Sequence, residues 1–441
     1  MSDTPPTSVA PLVERFFRHE AGRLVSVLTR FFGWRHFELV EDMVQATLIE
    51  ALQAWRVRLP ENPSAWVYQI ARRKTIDALR RDQTGRRIAA ELGRGPDHAA
   101  DDLADLFLDS EIADSQLRMI FACCHPDLAR ENQLALTLKA LCGFSHSEIA
   151  RALLLGEETV KKRLQRATRG LAERGLALEP PPVEELLPRL DAVHQVLYLL
   201  FNEGYASSSG TSAIRADLCE EAARLCYLLC SHPRFCEPAT HALLALMLFH
   251  AARFESRTDA AGAVLLLEEQ DRSRWDHGLI RRAQAHLVQA AQGTVVSRYH
   301  LEAGIASYHC LAPSYAETDW SAILGLYDLL LRAHPSPVYV LNRAVVVSQL
   351  QGPLAAIREL ESEIPASVRD HYFLFDAVLG EFYRRVGDLT RARELLEAAR
   401  AKTDSPFDLQ IIDRRLATCL RDAVPPAITT VASRRGTHSA N

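Results

Sequence analysis

Thr159, Lys161, Lys162, Arg163, Gln165 and Arg166 crowd four cations and two hydrogen-bonding side chains into eight residues. Ammonium and guanidinium groups neutralise phosphates, while Arg and Gln present the paired donors and acceptors that match guanine and adenine edges in a major groove. A second cluster, Arg72, Arg73, Lys74, Arg80 and Arg81, follows Trp66, Tyr68 and Gln69. Rings beside cations suit a separated strand, because bases stack on the rings while the cations track the backbone. Each cluster also has a blander reading, a solvated helix face over an ordinary core. For the first, turn, cap and basic face coincide, which favours DNA. Nothing comparable points to catalysis: the sequence holds no HExxH pair, no triad-like setting, no Walker loop and no GxGxxG. No catalytic residue, cofactor or metal ion is expected, and the protein is not read as an enzyme.

A helix-turn-helix must carry the first cluster. From Gly143-Phe144-Ser145 to Leu164, Ser145 is placed to cap a helix with Glu148 closing a capping box, Gly156 to make the tight turn, and Glu157 or Glu158 to open a second helix. Burying Val160, Leu164, Ala167 and Leu171 turns the polar residues from Glu158 to Arg166 outward or obliquely. For the second cluster the spacing predicts a helix capped by Ser64, burying Trp66, Ile70, Ile76 and Leu79, and ending near Arg81. Pro60 and Pro63 separate it from helices over 9–57, whose apolar residues recur at Leu12, Phe16, Leu24, Leu28 and Phe31 and at Val40, Val44, Leu48 and Leu52.

A chain of 441 residues exceeds one hydrophobic core, and 48% apolar with 24% charged residues is ordinary globular composition. The net charge of −5 does not exclude nucleic acid, since the cations are clustered, with Arg86, Arg87 and Arg169 extending the two groups. No apolar run has the length of a membrane span and the start, MSDTPPTSVAP, lacks a signal peptide's regions, so a cytoplasmic protein without membrane contact is expected. Nine cysteines, an odd number, suit reduced thiols.

The expected fold class is all-α. Residues 9–82 form a first helical domain, 83–116 an acidic linker, and 117–176 a second helical domain closed by Pro180, Pro181 and Pro182. Residues 183–420 read as a large helical array and 421–441 as a disordered tail. Within the array Ala344, Val347, Gly352, Ala356 and Leu360 repeat as Gly380, Tyr383, Gly387, Ala392 and Leu396, a tetratricopeptide-like pattern near 335–405. Such arrays bind peptides or partner helices.

Cys123-Cys124-His125 lacks a second pair at zinc-finger spacing. Cys226 and Cys230, one helical turn apart with Cys219, Cys236 and His232 nearby, offer ligands for a metal or a thiol couple, but the interior preference of cysteine assigns them to packing. Asn202, Glu203 and Tyr205 are open to a pocket reading or, more simply, to the end of a helix.

Taken together, Asp42-Met43-Val44-Gln45-Ala46-Thr47-Leu48, Ala65-Trp66-Val67 with Arg72 to Arg81, and the Glu148–Arg166 helix-turn-helix resemble the extracytoplasmic-function branch of the sigma-70 family over about residues 10–175. The resemblance implies that the Asp42–Trp55 helix, through Asp42, Gln45, Leu48 and Trp55, docks on core RNA polymerase. It implies that Arg58–Ala65 and the helix after it meet the minus-10 element, with Asn62, Trp66, Gln69, Arg72, Arg73, Lys74, Arg80 and Arg81 on the DNA. Ser145, Glu158, Thr159, Lys161, Lys162, Arg163, Gln165 and Arg166 would meet the minus-35 duplex. Glu158 and Thr168 depart from the commonest family pattern and lower the local positive charge. The extension resembles that of a subgroup carrying a fused tetratricopeptide-like domain, with Leu197 to Tyr205 similar to its opening, and a role in cis on the sigma part is expected. A helical-repeat adaptor, or an ordinary regulator that never touches core polymerase, are the rival readings.

Overall fold

The computed structural model describes residues 9–55, 59–81, 109–153, 155–176, 178–179, 181–205, 214–260, 262–363 and 372–422. Arg58, Arg86, Arg87, the linker up to residue 108 and the tail from 423 lie outside them. The fold is all-α: eighteen helices and no strand among the described residues, with one isolated bridge between Thr258 and Val264. No described helix is long and apolar enough to cross a membrane. The chain forms two compact units, one running to Glu255 and including Ser273–Ser307, the other comprising Ser256–Arg272 and the chain from Tyr308.

In the first unit, α1 (Val9–Phe32), α2 (Phe37–Ala54) and α3 (Pro63–Arg81) pack around Leu24, Leu28, Val40, Val44, Val67 and Ala71. Phe16, Phe17, Trp55 and Trp66 form an aromatic cluster, with Trp55 and Trp66 edge to face at 5.8 Å. The cap of α3 differs from expectation. Asn62 Oδ1 accepts the Ala65 N–H at 3.0 Å with Pro63 in the first helical position, while Ser64 Oγ turns to Glu20 at 3.3 Å. The buried stripe also differs. Val67, Tyr68, Ala71, Thr75 and Leu79 face inward, whereas Trp66, Ile70 and Ile76 are half-buried.

Next come α4 (Asp109–Cys123), α5 (Arg130–Ala140), α6 (His146–Ala152) and α7 (Glu157–Glu173). Helix α4 begins eight residues ahead of the expected 117, where Arg30 of α1 holds Asp114 at 3.3 Å and Ser115 at 3.1 Å. Helix α5 ends on Gly143, at φ +66°, with the Phe144 N–H reaching back to Leu138 O. Gly156, expected to supply the turn, has φ −76° and open space at its Cβ position, so its backbone is one any residue adopts.

The two helical domains pack against each other. A Cβ on Gly22 would lie 2.0 Å from Leu141 O, so α1 and the end of α5 meet backbone to backbone. Beside this contact Lys139, 4% exposed, pairs with Glu41 of α2, and burial keeps that carboxyl above its ordinary range despite the ammonium. Helices α8 (Val183–Tyr205), α9 (Ala216–Cys230), α10 (Pro238–Ala251) and α11 (His277–Ala290) belong to the same unit. Arg189 donates to Phe121 O at 2.8 Å, Arg224 donates to Leu141 O at 3.4 Å, and Phe235 packs on Phe121. The expected boundary at the proline run thus separates helices that the fold packs together. Helix α12 (Arg298–Leu311) follows.

The second unit holds α13 (Trp320–Ala333), α14 (Pro337–Gln351), α15 (Pro353–Glu363), α16 (Phe373–Arg385), α17 (Leu389–Ala401) and α18 (Pro406–Asp422). Gly352 and Gly387 turn α14 into α15 and α16 into α17 with φ of +86° and +87°, at the repeated positions. Gly380 lets α16 approach α17, since a Cβ there would stand 3.2 Å from Ala392 O.

Two outcomes follow from this packing. Replacing Gly22 by Ala adds helix propensity of about 1 kcal/mol, yet the seam at Leu141 has no room for it. The substitution should therefore destabilise the whole chain and speed amide exchange around Leu141–Phe144; a gain in stability would show that the seam does not form. His194, buried and bonded to Thr240 at 2.8 Å, has its pKa lowered from 6.5 to about 3 by desolvation. The unfolded chain binds that proton first, so stability is complete above pH 6.5 and falls as pH drops toward 3, by about 1.4 kcal/mol per unit. His194→Gln should remove one proton from the uptake on acid unfolding, and an unchanged uptake would refute it.

Candidate nucleic-acid interface

Helix α7 buries Val160, Leu164, Ala167, Thr168 and Leu171, one stripe at helical period. Glu158, Thr159, Lys161, Lys162, Gln165, Arg166 and Arg169 are thereby exposed, while Arg163 is half-buried at the stripe's edge. Lys161 pairs with Glu158 at 3.0 Å, and the ammonium holds that carboxyl below its ordinary range. Lys162 and Arg166, one turn apart, make no ion pair among the described residues. They are the cations of this face best placed to meet phosphate or base edges. Ser145 is engaged otherwise: its hydroxyl accepts the Glu148 N–H at 3.2 Å, and its own N–H donates to the Glu148 carboxylate at 2.8 Å. This capping box closes the N-terminus of α6, the first helix of the pair. Thr168 closes onto Leu164 O at 3.0 Å inside the domain, so its departure from the family pattern alters packing as well as charge.

On α3, Gln69, Ile70, Arg72, Arg73, Ile76, Asp77 and Arg80 line a shallow open groove, and Arg81 follows it at the helix end. Lys74 does not join this surface. Its Nζ donates to Ala46 O at 3.2 Å and pairs with Glu50 at 2.8 Å, tying α3 to α2. Tyr68 is 4% exposed and unable to stack on a base. Trp66 is half-buried in the aromatic cluster, so its ring is only partly open to a base. Asn62 is exposed but spends its carbonyl on the cap.

Helix α2 presents a third face. Asp42 and Gln45 are exposed, and Ile49 and Leu52 continue their row with 56% and 45% of their surface open. Leu48 and Trp55 sit at the edge of the buried side, half-covered. The resemblance names Leu48, and the apolar recurrence groups Leu52 with Val40 and Val44; the structure instead leaves Leu52 in water beside Ile49, because the buried row runs through Val40, Val44, Thr47 and Ala51. Exposed apolar groups that continue a polar row suit a protein partner better than DNA. Elsewhere, only Cys230, His241 and His286 gather as possible metal ligands among the described residues.

Known proteins match these domains. Residues 16–85 match the model of sigma-70 region 2, residues 118–169 that of sigma-70 region 4, and residues 189–291 a family of unknown function, DUF6596. The ECF RNA polymerase sigma factor SigK of Mycobacterium ulcerans is 26% identical over 162 residues, covering 35% of this chain and 81% of that protein. The uncharacterized protein R00370 of Rhizobium meliloti is 37% identical over 396 residues, covering 89% of this chain and 92% of its own length. No solved structure matches. Sigma-70 domains imply core RNA polymerase and promoter DNA as partners and a family of non-enzymatic transcription factors. From the similarity along nearly its whole length, the protein belongs to one family with the Rhizobium meliloti protein, and it carries sigma-70 region 2 and region 4 domains followed by a DUF6596 domain.

Proposed function

We propose that the protein is an RNA polymerase sigma factor that recognises a promoter, opens it and starts transcription, with its C-terminal part regulating it in cis. One observation carries the reading: α2, α3 and α7 each spend one stripe on a core and leave outside, in turn, a mixed apolar and polar row, a cationic groove and a cationic helix face. Region 2, at 9–82, would hold core polymerase through Asp42, Gln45, Ile49 and Leu52 and the minus-10 element through Gln69, Arg72, Arg73 and Arg80. Region 4, at 117–176, would read the minus-35 element through Thr159, Lys162, Gln165 and Arg166. Strand opening would draw on binding energy, because cations and a partly open ring favour a separated strand over the duplex.

Regulation in cis is supported by the bonds that Arg189 and Arg224 make to backbone oxygens of region 4. A covalently joined partner acts at high effective concentration. The second unit, which includes the tetratricopeptide-like segment near 335–405, adds a cavity of about 260 Å³ lined by Tyr315, Trp320, Tyr327, Asn342, Glu381 and Arg415. Rings with both charges suit a peptide side chain or small ligand. Such a factor would work in the cytoplasm.

Mixing the full chain with core polymerase and a library of genomic fragments should give runoff transcripts from a subset. An ordinary regulator would need a second sigma factor, and an adaptor would give none. Ile49→Lys together with Asp42→Ala should abolish polymerase capture and leave duplex affinity intact; the reverse would overturn the division of roles. Lys162→Ala should weaken duplex binding on every sequence and lower the salt slope by about 1, whereas Arg166→Ala should cost about 1–3 kcal/mol and relax one base position.

A further inference from the structure

Three helices of the segment between region 4 and the tetratricopeptide-like repeats bring soft ligands together. Cys230 ends α9, His241 lies in the first turn of α10, and His286 stands on α11. Their ligand atoms all lie within 4.8 Å of one another, and each residue is half-buried. We propose that Cys230, His241 and His286 bind a divalent transition metal of the zinc class.

The neighbouring thiols separate cleanly. Cys219 and Cys226 are buried and donate to Phe201 O at 3.4 Å and Thr240 O at 3.6 Å, so they belong to the core. Cys230 is not so enclosed, and its side is shared by two imidazoles whose Nδ1 atoms face each other at 2.8 Å. Two such nitrogens hold one proton between them or a cation. Tetrahedral zinc bonds of 2.0–2.1 Å set nitrogens about 3.3 Å apart, so a shift of about 0.5 Å admits the ion, which half-buried side chains at helix ends accommodate.

His241 is also held from outside. Cys236, in the loop between α9 and α10, places Sγ 3.0 Å from His241 Nε2. With Nδ1 on the metal, Nε2–H donates to that sulfur, the outer contact that orients a ligating histidine. One thiolate and two neutral imidazoles select a borderline or soft ion over calcium or magnesium. Three protein ligands leave one position to solvent. The site ties α9 to α10 and α11, and its existence is independent of whether the protein initiates transcription.

The test uses the full chain, kept reduced and freed of metal. Titration with cobalt(II) should raise a thiolate-to-cobalt charge-transfer band saturating at one equivalent, and zinc should displace it. Cys230→Ser should abolish the band. His286→Gln should weaken affinity at least about 100-fold, with its helical circular dichroism unchanged. A chelator should lower the melting temperature of the native chain and leave that of His286→Gln unmoved. Absence of the band, its persistence in Cys230→Ser, or its loss in Cys236→Ser would overturn the assignment.

Discussion

Burying one stripe of a helix decides what the opposite stripe is free to do. At 3.6 residues per turn a row of four or five inward residues leaves only certain neighbours in water. In α7 the inward row from Val160 to Leu171 leaves Lys162, Gln165 and Arg166 outside and draws Arg163 halfway in. In α3 the row Val67, Ala71 and Thr75 puts Arg73 in solvent and sends Lys74, the next residue, to the α2 backbone. Adjacent cations in one run therefore have opposite duties. The interface is a by-product of where the core lies.

Local features of the site were legible in the sequence because their causes are local. The Ser145–Glu148 box and the Val160, Leu164, Ala167, Leu171 stripe involve residues a turn or two apart, and period alone places them. Gly352 and Gly387 were legible for the same reason, sitting one and two positions past a helix end. The buried role of Tyr68 and the inward turn of Lys74 were not, since charge and aromaticity say nothing of which neighbour lies opposite. Long-range pairings were the least visible. Nothing near Lys139 marks Glu41, nor does anything near Cys230 mark His286.

The cysteines and histidines show how topology sorts a group that composition cannot. Cys219, Cys226, Cys230 and Cys236 stand close together along the chain, and helical geometry divides them into core and edge. Cys230 meets its partners because α10 packs on both α9 and α11, helices whose inward faces bury Leu225, Leu243 and Ala283. The set draws one ligand from the end of α9, one from the first turn of α10 and one from within α11, so no single stretch of sequence could reveal it.

The contact between Gly22 and Leu141 bears on how the chain engages a promoter. The seam joins the region 2 and region 4 domains through α1 and the end of α5, backbone against backbone. If the proposed promoter binding needs the two domains apart, every 1.4 kcal/mol by which the seam favours closure lowers apparent affinity about tenfold. On the reading proposed above, a partner that grips region 2 would have to offset this closure before region 4 could move away from it, which links the affinity of one domain to the freedom of the other.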